Sequence, residues 1–134
     1  MQTTFRARRW IVMGAAALLT AAAQAHHSFA VFFDDEQGLV KVEGTVTEFS
    51  FRNPHGLIRV DAVEKGKTVE WRAETNSPSI LERRGWKRDS LKVGDKIVLE
   101  GWKARDGSRY MRMRKVTMAD GTPVGIPFET PEVR

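Results

Sequence analysis

The sequence contains no cysteine, so disulfides, thiolate metal ligands, thiol nucleophiles and redox pairs are all excluded. The fold must rest on a hydrophobic core, which a chain of 134 residues can supply for one domain but not two. There is no glycine-rich phosphate loop and no HExxH pattern. No apolar run after residue 25 is long enough to span a bilayer. Histidine is scarce, with only His26, His27 and His55. An excess of positive charge is also largely missing. The formal net charge is +5, but Arg6, Arg8 and Arg9 lie in the first 25 residues and no acid does, so the remainder carries +2. That balance reads as a mixed solvated surface and gives no case for a nucleic-acid partner.

Those first 25 residues have the three-part layout of a secretory signal. Arg6, Arg8 and Arg9 make a positive start, Ile11 to Thr20 an apolar, alanine-rich middle, and Ala23-Gln24-Ala25 a small-x-small cleavage site. The Arg8-Arg9 pair lacks the rest of a twin-arginine motif. The expectation is a signal peptide over 1–25, export to the periplasm or beyond, and no transmembrane anchor once it is cleaved.

From residue 26 onward the pattern predicts an all-β domain. Residues 26–38 form an arm in which Phe29, Phe32 and Phe33 are apolar enough to dock and Asp34-Asp35-Glu36 returns to water. Val40, Val42 and Val46 share one face of a long first strand. Gly44 suggests a bend there, and Phe49 and Phe51 fall out of phase with the valines. Asn53-Pro54-His55-Gly56 is a turn by composition, followed by strands over Leu57–Val63 and Thr68–Glu74. Ser77 then Pro78 start a short helix that Gly85 stops. Strands over Lys96–Lys103 and Tyr110–Met118 flank the hairpin signal Asp106-Gly107. The order β-β-β-α-β-β predicts a five-stranded OB-like barrel over 39–120, with one short helix between strands 3 and 4 and an irregular tail over 121–134. A plain β-sandwich is the alternative.

The histidines carry the chemistry. Cleavage after Ala25 gives His26 a free α-amine, with a pKa near 7.7–8.0. Amine and ring Nδ1 can then chelate one metal ion, an arrangement that resembles the histidine brace of copper proteins. His27 or His55 adds a further imidazole, and such an all-nitrogen set suits Cu(II) ahead of Zn(II) or Ni(II). The candidate metal ligands are therefore His26, His27 and His55, with copper the candidate cofactor. The same residues also fit a solvated terminus and a turn-stabilising His55.

The other readings carry less chemistry. Met111 and Met113 share a face of strand 5 and read as core. Glu74 and Asp61 make a carboxylate pair only if the fold joins them. Arg109, Arg112, Arg114 and Lys115 on strand 5 suggest a face for an envelope protein or an anionic ligand, against the plainer reading of a solvated strand. The expected function is a non-catalytic exported binding module, with an oxidative copper enzyme as the remaining alternative.

His26-His27-Ser28-Phe29-Ala30, Gly44-Thr45-Val46, Asn53-Pro54-His55, Arg83-Arg84-Gly85-Trp86, Arg88-Asp89-Ser90-Leu91-Lys92, Gly94-Asp95 and Ala104-Arg105-Asp106-Gly107-Ser108 occur in that order. Together they resemble domain of unknown function family 6152, a group of small secreted bacterial proteins. The resemblance implies secretion and an OB-like barrel, and it implies no activity. Gly56 departs from the family pattern, where a bulky residue follows Asn-Pro-His. The signal reading makes one measurable demand: intact-mass analysis of the exported protein should find a chain beginning at His26, and any other start removes the amine ligand.

Overall fold

A computed structural model describes residues 32–33 and 38–129. His26, His27, Phe29 and the whole 1–25 segment lie outside the described residues. Five strands form one sheet: β1 (Leu39–Ser50), β2 (Leu57–Glu64), β3 (Lys67–Glu74), β4 (Lys96–Lys103) and β5 (Tyr110–Met118). The single described helix, α1 (Pro78–Arg83), lies between β3 and β4. The spatial order β1-β2-β3-β5-β4 returns to β1, so the sheet closes into a ring. No helix among the described residues is long and apolar enough to cross a membrane.

Strand β1 serves two neighbours. Its first part, Leu39–Thr45, pairs antiparallel with β4, and its second part, Thr45–Ser50, pairs with β2. The pairing register shifts between Val46 and Glu48. That bulge reverses the side-chain alternation, so Val42 and Val46 point into the core before it and Phe51 after it. The bend expected at Gly44 therefore falls beyond Val46. What Gly44 supplies is close approach, since a Cβ there would stand 2.7 Å from the Asp61 carbonyl oxygen. The strand is bent where the extra residue sits, and it is thin where β2 crosses near.

Hairpins alone cannot close the ring, because β4 and β5 follow a long excursion through α1. Closure comes from a short parallel ladder between β3 and β5: Arg72 faces Tyr110, Ala73 faces Met111, and Glu74 faces Arg112. Inside the ring, Ile58, Val60, Ala73, Leu99, Met111 and Val116 are wholly buried. Met111 and Met113 are thus core residues, as their spacing implies.

Helix α1 adds Leu81 to the core, and Trp86 just beyond it is buried as well. Ser77 occupies the N-cap position without a side-chain capping bond, and Pro78 pre-sets the first turn. Gly85 terminates the helix at φ +84°, the left-handed conformation that favours glycine. The tail past Met118 is irregular, as expected, yet it is docked. Val124 N–H donates to the Val116 carbonyl at 2.9 Å and Phe128 N–H to the Arg114 carbonyl at 2.9 Å. Phe128 is buried beneath the Arg84 guanidinium, 4.2 Å from its ring centre.

A second bulge, between Glu100 and Gly101, brings β5 hard against β4. A Cβ on Gly101 would overlap the Arg112 carbonyl oxygen, a backbone atom with no room to yield. Gly101→Ala should cost roughly 1–3 kcal/mol of stability, read as a lower urea midpoint at unchanged slope.

Candidate functional site

The described domain contains three buried polar or charged residues, Thr75, Asn76 and Arg112, and all three meet at one place. That place is the outer face of the β3–β5 seam. Along β5, Met111 and Met113 point inward, so Arg112 between them points out. It is nonetheless buried, because the β1–β2 turn and the chain leaving β3 fold over it. The turn includes a cis Asn53-Pro54 bond. It is fastened by the Thr75 N–H, which donates to the Gly56 carbonyl at 3.0 Å. A Cβ on Gly56 would lie 2.5 Å from both the Ser50 carbonyl oxygen and Thr75 Oγ1. The turn therefore has no room for a side chain at position 56 unless the backbone shifts.

Beneath this turn, Arg112 is held by a set of oxygens. Its Nη1 donates to Glu74 Oε1 at 2.8 Å and to the Thr75 carbonyl at 3.2 Å. Its Nη2 donates to Asn76 Oδ1. The other Glu74 oxygen accepts the Tyr110 hydroxyl at 2.5 Å. His55 completes the cluster, with Nδ1 3.4 Å from Arg112 Nη1 and 3.7 Å from Glu74 Oε1. His55 is nearly half exposed while Arg112 is almost fully enclosed, so the cluster has a wet rim and a dry base. A cleft of about 670 Å³ opens over it, lined by Arg52, His55, Arg72, Glu74 and Tyr110. The Arg72 guanidinium lies 5.3 Å from the Tyr110 ring centre.

The N-terminal arm reaches the same seam. Phe33 is buried and bridges to Ala104, its ring centre 5.5 Å from that of Tyr110. Arg105 backs the contact, donating through Nε to the Phe33 carbonyl at 3.1 Å. Phe32 points to solvent. One of the arm's aromatic residues thus makes the expected anchor, one does not, and Phe29 lies outside the described residues.

Of the candidate ligands, His55 sits at the rim of this cleft, whereas His26 and His27 fall outside the described residues. Among the described residues no three His, Cys, Asp or Glu side chains come together. Other readings need correction. Glu74 and Asp61 are not a pair, since Glu74 faces Leu57 across the β2–β3 ladder while Asp61 faces Glu70. The basic face expected on β5 is largely neutralised, since three of its four cations are ion-paired. Arg109 pairs with Glu64 at 3.0 Å, Arg112 with Glu74 at 2.8 Å and Arg114 with Glu100 at 2.6 Å. Trp71, Trp86 and Trp102 are all buried, which suits packing. Sequence reasoning missed the joint role of Glu74, Asn76, Tyr110 and Arg112. The available signal was an arginine between two core methionines, but its partner lies 38 residues away.

The profile of a family of unknown function, DUF6152, matches residues 15–112. The chain belongs to that family. The matched span runs from before His26 and His27, through His55 and Glu74, to Arg112, so DUF6152 takes in every residue of the cluster. No curated protein matches the chain.

Partial burial first, and the hydrogen bond to Glu74 second, push the Tyr110 phenol above its ordinary value near 10. Tyr110 is the only tyrosine in the sequence, so its phenolate absorbance titrates without overlap from another residue. A raised folded value means that the protonated phenol is the stabilised form. Its contribution is complete below pH 10 and is lost as pH climbs towards the raised value. The titration should lie above that of a free tyrosine. Glu74→Gln should move it back down, provided circular dichroism shows the fold intact.

Proposed function

We propose that this DUF6152 domain is an exported, non-catalytic OB-like barrel that binds copper through its processed N-terminus together with His55. The barrel reading draws on the strand order, on the parallel β3–β5 pairing that completes it, and on a helix inserted between β3 and β4. The copper reading draws on one observation above all. Phe33 anchors the arm against Tyr110, and Tyr110 is hydrogen-bonded to the Glu74 carboxylate that lies beside His55. His26 lies seven residues before Phe33. Seven extended residues reach ~24 Å, which exceeds the span of those contacts.

In this reading His26 supplies its α-amine and ring nitrogen, and His55 supplies a second imidazole. His27 stands next in the chain as a further imidazole. The amine must shed its proton to bind, so affinity rises with pH through the amine's own titration. The domain's part is to hold His55 on a firm base and to keep the arm close, which raises the local concentration of the terminal ligands.

A second reading has its own observation. Arg52 and Arg72 line the same cleft, and their charge suits an anionic envelope ligand, or a protein presenting one, without any metal. Correctly processed protein titrated with Cu(II) should give an all-nitrogen electron paramagnetic resonance spectrum. That spectrum should change in His26→Ala, in His55→Ala and in protein carrying an extra residue before His26. A spectrum indifferent to all three sinks the copper reading. Envelope ligand binding that survives removal of residues 26–30 favours the anionic one.

A further inference from the structure

The hydrogen bonding of His55 decides which of its nitrogens carries the hydrogen. Arg112 Nη1 lies 3.4 Å from His55 Nδ1. A guanidinium only donates, so Nδ1 accepts. Glu74 Oε1, at 3.7 Å, is beyond hydrogen-bond reach of the same atom. A neutral ring whose Nδ1 accepts carries its hydrogen on Nε2. Nδ1 is turned to the enclosed guanidinium while the side chain is nearly half exposed, which leaves the Nε2 edge open to the cleft. The cations there are donors as well. Arg52 and Arg72 line the cleft and both are exposed. The Tyr110 ring lies 5.3 Å from the Arg72 guanidinium and steadies it. Glu74 is the one acid among the described lining residues. Arg112 holds one of its oxygens and the Tyr110 hydroxyl the other. The charged side chains of the cleft therefore offer hydrogens and a surplus of positive charge.

We propose that this cleft binds a phosphate group, with Arg52 and Arg72 as a charged clamp and His55 Nε2–H as a third donor. Arg112 is the positioning residue, because its bond to Nδ1 keeps the ring hydrogen on the side that faces the ligand. Guanidinium forks match the oxygens of phosphate and carboxylate alike. Charge separates the two. A phosphate monoester carries about −1.5 to −2 near neutral pH, which balances two guanidiniums, whereas one carboxylate leaves one of them unmatched. The inference rests on the anionic reading above and gives it a ligand class. Phosphate and metal are alternative occupants of His55, since copper reaches Nε2 only when that hydrogen has left.

The test uses nitrogen-15-labelled, correctly processed, metal-free protein at about pH 8, where a free imidazole is neutral. Long-range proton–nitrogen correlation should show His55 with a protonated Nε2 and a bare Nδ1. Inorganic phosphate, titrated at fixed ionic strength, should shift the Nε2 signal saturably. Phosphatidylcholine vesicles with and without phosphatidic acid separate the two sources of the group. Binding of inorganic phosphate points to a free phosphate, and binding only to the phosphatidic acid vesicles points to a lipid headgroup; either upholds the site. Whichever form binds, Arg52→Gln and Arg72→Gln should each weaken it about 10-fold. His55→Ala should weaken it too, and His55→Gln, whose amide donates, should recover part of the loss. A bare Nε2 in the metal-free protein overturns the proposal, as does binding indifferent to both arginine variants. Saturable binding of acetate without binding of phosphate in either form overturns the phosphate assignment and leaves the anionic reading standing. No binding of any of these anions overturns both.

Discussion

The ion pair between Glu74 and Arg112 is the interaction on which the rest depends. It lies at the last rung of a parallel ladder whose register covers only three residue pairs, and that ladder is where the ring closes. Enclosing a guanidinium costs several kcal/mol unless its hydrogens are accepted. Here the carboxylate, a backbone carbonyl and an amide oxygen accept them. Two of those acceptors come from the chain just past β3, which the Gly56 carbonyl holds in place. The seam, the turn and the cleft are thus one construction, and none of the three keeps its shape without the others.

This construction has two sides with different duties. Its inner side is the wall of the core, formed by Ala73 and Met111. Its outer side is polar and enclosed at the base, with His55 at the rim and the Phe33 contact next to Tyr110. A rigid base under a half-exposed imidazole is what a binding site needs, because little freedom remains to be lost when a ligand arrives. The paired charges along β5 matter here too. Glu64, Glu74 and Glu100 neutralise the arginines of that region, which leaves Arg52 and Arg72 to set the charge of the cleft.

The strands were legible because each is a local pattern. Val40, Val42 and Val46 alternate, as do Val69, Trp71 and Ala73, and the turn residues between strands mark their ends to within a residue or so. Phe49 and Phe51 announced a break in β1 by changing phase, and the break is there, though displaced from Gly44. The closure was not legible, since a parallel pairing of Arg72–Glu74 with Tyr110–Arg112 joins segments separated by a helix and a hairpin. The same reason hid most of the site. His55 stood out by its rarity, but Glu74 and Arg112 look like ordinary surface charges in a strand. Only the fold reveals that the strand's outer face is roofed over. Phe128 was similarly hidden in a proline-marked tail that carries no periodic signal.

That docked tail has a consequence for how the domain loosens. Phe128 slots under Arg84, and the tail backbone lies along β5, so the last residues described are stitched to the helix and to the final strand. Peeling them away would bare the ring of Phe128 and free the carbonyls of Val116 and Arg114 together, so fraying at this end is opposed by burial as well as by hydrogen bonds.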